Sequence, residues 1–309
     1  MRKKIIIFSV IGVIIFGVIG IIYELENEEP IKNNNEILSQ EKLSIEKRLE
    51  KKDEIKLVFS NSFGKFGVEQ GEFNAPHSID FFDNKIFVLD AENNRIQVFL
   101  TDGSFHSEIP VKPNAHGIAV SEDKIFIAET YKYRISIYTY DGKIINQFPI
   151  TYSRDLEVDS EFLYILEPHQ KQVSVYTHDG EFNFALPVHE NVHYLNSDKD
   201  KIIVSGPHPS ITMTPEIIII NKKDGTVESR FNTSQNVRGS DIYQEKVFVV
   251  EGDQIKILNM KGEVLAEIGS TGKGDGEFRG PTQIEFDDNY LYVLDPQNHR
   301  IQILSVIYE

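Results

Sequence analysis

Three histidines, His77, His116 and His193, and one arginine, Arg154, are the side chains through which this sequence could do chemistry. Three imidazoles brought together can hold a Zn²⁺ ion and leave its fourth position open to water or substrate. A guanidinium among them could hold a carboxylate or a developing oxyanion. The simpler expectation for the same histidines is hydrogen bonding to nearby backbone. The chain has no cysteine, which excludes a disulfide framework, a thiolate nucleophile, cysteine-ligated metal and a lipid-modified cysteine anchor. No nucleophile–base constellation, phosphate-cradling glycine loop or nucleotide motif is visible.

Whether the four residues meet depends on the elements that carry them, and these repeat. Asp-Gly or Lys-Gly turns recur at Gly103, Gly142, Gly180, Gly225 and Gly262, at intervals of 39, 38, 45 and 37 residues. Alternating, β-branched runs precede the turns, such as Arg95-Ile96-Gln97-Val98-Phe99 and Arg134-Ile135-Ser136-Ile137-Tyr138. Each reads as a strand leading into a tight hairpin. Before them lie wholly apolar runs, such as Ile86-Phe87-Val88-Leu89 and Leu291-Tyr292-Val293-Leu294. Loss of alternation marks a strand covered on both faces.

A period of about 40 residues holding four strands, a to d, is one propeller blade. Strand a begins near Ile79, Ile118, Leu156, Leu195, Ile242 and Ile284, so the expected fold is an all-β, six-bladed β-propeller over residues 55–309. The last blade runs out of chain after Ile301-Gln302-Ile303-Leu304. The run Ile55-Lys56-Leu57-Val58-Phe59 precedes a Gly-Glu-Phe segment just as Glu263 to Glu267 precedes the second one. The N-terminal strand should therefore complete the C-terminal blade and close the ring.

One fragment occurs twice with little change. Leu89-Asp90-Ala91-Glu92-Asn93-Asn94-Arg95-Ile96-Gln97-Val98 returns as Leu294-Asp295-Pro296-Gln297-Asn298-His299-Arg300-Ile301-Gln302-Ile303, each after a Gly-Glu-Phe-x-x-Pro lead-in, Gly71 to Pro76 and Gly276 to Pro281. Together these segments resemble the NHL repeat, a family of β-propellers. The resemblance is strong in the first and last blades. It fades in the second, with Glu129 and Arg134, and the third, with Glu167 and Gln172, and is largely gone in the fourth and fifth. An acid five positions before arginine, across the b–c hairpin, suits a carboxylate–guanidinium bond that pins the loop.

In a propeller the d–a and b–c connections share one face, around the mouth of the central channel. Two residues before each strand-a start stand His77, His116, Arg154, His193, Ser240 and Thr282, a ring on that face; His169, His208 and His299 fall in its b–c loops. The ring makes one Zn²⁺ or Ca²⁺ ion at the channel mouth an expectation, with His77, His116 and His193 as ligands. Among NHL-like propellers the peptidyl-hydroxyglycine amidating lyases resemble this arrangement, because they bind a metal through histidines of different blades. Tyr131 and Tyr133, which flank Lys132, and His208 in the proline-rich segment Ser205 to Glu216 are expected on the same face, with Arg154, as ligand contacts.

The chain opens with Met1-Arg2-Lys3-Lys4 and then Ile5 to Tyr23, uncharged and apolar. Nineteen residues of helix span roughly 28 Å, close to the hydrocarbon thickness of a bilayer. A cleaved signal peptide is the competing reading, but the run is longer than its usual apolar region and passes into Glu24 without a cleavage site. Residues 1–23 are thus expected to be a cytoplasmic tip and transmembrane anchor, and residues 24–54 a charged stalk. The positive flank places the remainder outside the cytoplasm. Taking Arg2, Lys3 and Lys4 away from the net charge of −16 leaves −19 for that exported part, which repels nucleic acid. The expected function is a membrane-tethered, extracytoplasmic propeller binding an envelope protein, peptide or glycan; the alternative is a metal-dependent lyase or hydrolase using the histidine ring.

Overall fold

A computed structural model describes residues 55–308 apart from 154, 189–191, 207–214 and 288. The expected membrane segment and stalk, Arg154 and His208 therefore lie outside the described residues. Within them the chain forms 24 strands in six four-stranded antiparallel sheets. Blade one holds β2 (Pro76–Phe82), β3 (Lys85–Asp90), β4 (Arg95–Leu100) and β5 (Phe105–Pro110). Blade two holds β6 (Gly117–Val120), β7 (Ile125–Glu129), β8 (Arg134–Tyr138) and β9 (Ile144–Pro149). Blade three holds β10 (Asp155–Val158), β11 (Leu163–Glu167), β12 (Gln172–Tyr176) and β13 (Phe182–Pro187). Blade four holds β14 (Tyr194–Asp198), β15 (Lys201–Gly206), β16 (Glu216–Asn221) and β17 (Val227–Asn232). Blade five holds β18 (Val237–Tyr243), β19 (Lys246–Glu251), β20 (Gln254–Asn259) and β21 (Val264–Ile268).

Blade six is built from both ends of the described chain. Its inner three strands are β22 (Gln283–Phe286), β23 (Tyr290–Asp295) and β24 (Arg300–Tyr308), and its outer strand is β1 (Ile55–Phe63). β1 pairs with β24 from Ile55 opposite Tyr308 to Phe63 opposite Ile301, with one bulge between Phe59 and Asn61. The expected closure is therefore present, and the edge of β24 is covered. Ile55 and Leu57 of β1 pack with Phe248, Val250 and Ile255 of blade five.

The core is six slabs between neighbouring blades. Phe87 and Leu89 of blade one meet Ile118 and Ile125 of blade two. Phe81 of blade one stacks on Tyr292 of blade six, with ring centroids 5.5 Å apart. Every second strand of a blade is covered on both faces, and for that reason β3, β7, β11, β15, β19 and β23 are apolar at consecutive positions. The turn glycines have a further cause. Gly103 sits at φ +84°, and a Cβ there would lie 2.6 Å from the ring of Phe63; Gly180, at φ +87°, is covered in the same way by Phe148. Each needs both the left-handed backbone and the missing side chain.

The inner strands β2, β6, β10, β14, β18 and β22 contact one another in sequence around the axis, and β22 returns to β2. Each exposes an unpaired backbone edge to the channel, and side chains of the preceding blade fill it. Ser78 Oγ accepts from the Ile118 N–H, Asp80 from Val120, Asp155 from Leu195 and Gln283 Oε1 from Ile79. Asp241 accepts in the same way from Phe286. These bonds join blade to blade where no β-ladder runs.

Candidate ligand-binding site at the channel mouth

The duplicated fragment explains itself as local architecture. In blade six the buried carboxylate of Asp295 accepts from Arg300 Nε (3.0 Å), Asn298 Nδ2 (2.8 Å) and the Arg279 N–H (2.8 Å). Arg300 also donates to the carbonyls of Lys273, Gly274 and Glu277, and Gln302 Nε2 donates to the Glu277 carbonyl while its Oε1 accepts from Gly276. The lead-in phenylalanine, Phe278, is fully buried. Blade one repeats the set with Asp90, Asn93, Arg95, Gln97 and Phe73. Every residue of the motif thus locks the lead-in to the b–c hairpin.

The middle blades keep weaker versions: Arg134 donates to Glu129 at 2.8 Å and Gln172 to Glu167 at 3.4 Å. In blade five, where the motif is hard to see in the sequence, Gln254 stands in the place of Arg95, and the cation on Glu251 is Lys256, from the place of Gln97. Short 3-10 turns follow the acids of blades one, two, three and six, and each ends on a left-handed residue, Asn94, Tyr133, Lys171 or His299.

The family model for the NHL repeat matches residues 73–99, the segment from Phe73 through β4. The chain is a six-bladed β-propeller that carries an NHL repeat in its first blade. A comparison with curated proteins found no match. Among solved structures the propeller is similar to a structural genomics protein of unknown function from Bacteroides thetaiotaomicron, at 14% identity over 82% of this chain and 77% of that one, TM-score 0.63. It is similar to virginiamycin B lyase from Staphylococcus aureus, at 16% identity over 82% of this chain and 100% of that one, TM-score 0.57. The Pan2 WD40 domain of Neurospora crassa matches at 10% identity over 74% of each chain, TM-score 0.52. At these identities the likeness is one of fold.

On the face formed by the d–a and b–c connections, His77 of blade one and His116 of blade two stand edge to face with ring centroids 5.3 Å apart. Tyr131, from the b–c turn of blade two, stands edge-on to His116 at 4.6 Å and is 68% exposed. Its neighbour Tyr133 is 59% exposed, while Lys132 between them is held by Glu129 and by the Pro113 carbonyl. His77, His116 and Tyr131 border a cavity of about 270 Å³ at the channel mouth, together with Tyr152, Ser153 and Thr282; Asp155 and Gln283 lie deeper in it. His116 Nδ1 lies 2.8 Å from the Asn114 carbonyl, so this nitrogen carries the proton and the neutral ring keeps Nε2 as an acceptor.

The three histidines expected as metal ligands do not form one group among the described residues. His77 and His116 press ring edge against ring face instead of aiming at a common point, and His193 belongs to blade four, opposite blade one in the ring of contacts. Among the described residues no three side chains of His, Asp or Glu are placed to hold an ion.

The ring itself needs one correction. The backbone N–H groups of His116, His193 and Thr282 make equivalent bonds to Ala128, Ser205 and Leu294. In blade five, however, β18 bulges between Val237 and Gly239 as β2 does between Pro76 and Ser78. Ser240 then pairs with Val249 as Ile79 pairs with Val88, and Arg238, not Ser240, occupies the place of His77.

Sequence reasoning also missed a second tier. Asp80, Ala119, Glu157, Asn196, Asp241 and Glu285 each pair with the equivalent residue of strand b. They therefore share one level of the channel. Burial pushes Asp80 up to about 7 and Asp241 to about 8, against the pull of backbone N–H donors. Burial and then the charge of Asp80 raise Glu157 and Glu285 well above the ordinary carboxylate range. The signal was present: each of the six stands ten residues before the last residue of its strand b, Asp90, Glu129, Glu167, Gly206, Glu251 and Asp295.

Proposed function

We propose that this propeller is a membrane-tethered, extracytoplasmic binding module that recognises an envelope protein, peptide or glycan through the face carrying His77, His116, Tyr131 and Tyr133. The observation that carries the reading is the exposed Tyr131 at the rim of a preformed cavity, with the exposed Tyr133 ending the same b–c turn. Aromatic side chains held outward by a scaffold are the usual anchors of recognition, since they bury large area at little entropic cost. Catalysis is less well supported. The Ser153 hydroxyl has no hydrogen-bond partner, so no imidazole is set to take its proton. The tether rests on Ile5 to Tyr23 and the charged tip before it.

Two measurements on cells making the full chain test the reading. The chain should resist alkaline extraction from membranes, and its propeller should be digested by protease added outside sealed spheroplasts. Chemical cross-linking followed by isolation of the chain should yield an envelope adduct that disappears when Tyr131 and Tyr133 are both changed to Ala. A chain released by alkali, or an adduct indifferent to the double change, would contradict it.

A further inference from the structure

The cavity at the channel mouth contains hydroxyls that the protein leaves unused. Ser153 is fully buried, yet its Oγ has no hydrogen-bond partner; the Oγ1 of Thr282, across the cavity, is also buried and unpaired. Buried polar atoms are nearly always satisfied, so each such exception asks what completes it. The lining answers in kind. Hydroxyls both donate and accept, His116 presents Nε2 as an acceptor, and Tyr131 and Tyr152 supply ring surface.

Charge narrows the ligand further. The tier of Asp80, Glu157, Asp241 and Glu285 lies two residues deeper along the inner strands, about 7 Å below Asp155, and no Lys or Arg stands among the described lining residues to hold an anion. A cation would need acceptors to spare, but Asp155 is committed to the N–H groups of Leu156 and Leu195 and to Gln283 Nε2. What fits is a small neutral group bearing several hydroxyls and an apolar face. The volume, about 270 Å³, falls just under the roughly 300 Å³ at which pockets for drug-sized ligands begin, room for one ring.

Building on the binding reading of this face, we infer that the cavity is a monosaccharide subsite that takes one uncharged pyranose ring of a glycan, hydrogen-bonded by Ser153, Thr282 and His116 Nε2 and flanked by Tyr131. The outward tyrosines leave the neighbouring sugar units room to continue across the face.

The test uses the full chain in a sugar-free detergent, titrated by NMR with the methyl glycosides of glucose, galactose and N-acetylglucosamine, and with methyl phosphate and butylammonium as charged probes. At least one glycoside should bind saturably and more tightly than either charged probe. Ser153→Ala should weaken it about 5- to 10-fold, the loss of one hydrogen bond, while the thermal midpoint stays the same or rises because the lost hydroxyl had no protein partner. No saturable glycoside binding, tighter binding of a charged probe, unchanged affinity in Ser153→Ala or a lowered midpoint would each overturn the inference; the last would assign the hydroxyl to a structural water. An envelope adduct that still depends on Tyr131 and Tyr133 in those cases would sink the sugar alone, whereas loss of both results would remove the binding reading as well.

Discussion

Raising the pH from 5 to 7 should loosen this propeller. Asp80 and Asp241, each only 6% exposed, titrate at about 7 and about 8 in the folded ring, against an ordinary value of 3.8. The folded chain therefore holds protons that the unfolded chain releases. Their contribution is fully present below about pH 4 and is lost as pH climbs through the folded values. One retained proton corresponds to about 1.4 kcal/mol per pH unit, so the pair gives up to about 2.7 kcal/mol per unit between about pH 5 and 6.5. Glu157 and Glu285 act in the same direction. The oppositely shifted carboxylates, such as Glu129 and Glu251 beside their cations, stabilise above their ordinary range and lose that contribution only as pH falls below about 4.5. Stability should thus peak near pH 5. Urea midpoints at half-unit intervals would show it, and Asp80→Asn with Asp241→Asn should flatten the descending limb. A midpoint that holds steady or rises from pH 5 to 7, or a double variant with the parental slope, would refute the reasoning.

Three further outcomes are expected. Asp295→Ala strands Arg300, which is only 11% exposed in its side chain, and should cost about 3–5 kcal/mol in urea unfolding; Glu129→Ala, facing the more open Arg134 at 34%, should cost less. Gly103→Ala places a Cβ against Phe63 at a left-handed φ and should lower stability by about 1–3 kcal/mol. Deleting residues 55–63 uncovers the edge of β24, and size-exclusion chromatography should then show self-association in place of the parental elution volume.

Much of the ring was legible because blade geometry writes itself into spacing. The turn glycines gave the period, the doubly covered b strands gave the core, and the run at Ile55 gave the closing strand. What stayed hidden depended on pairing register. Strand a of blade five aligns at Ser240 and not at Ile242, which moves the ring position two residues, from Ser240 to Arg238, and only pairing with the partner strand reveals it. The channel carboxylates look like ordinary surface acids along the chain. Only the closed ring, which turns the inner strand edges toward one axis, buries Asp80 and Asp241 as acceptors for the next blade. Sequence register likewise places the histidines on one face but does not say how their rings meet, as the edge-to-face pair of His77 and His116 shows.

The most direct test of the account places a photo-activated cross-linking residue at position 131 or 133 of the full chain in living cells, with position 182 as the control. Phe182 is 58% exposed at the c–d turn of blade three, away from the histidine face. A discrete envelope adduct from 131 and 133 but not from 182 is the result expected of a propeller that binds through its channel mouth. Adducts from 182 alone, or none from any of the three, would contradict it.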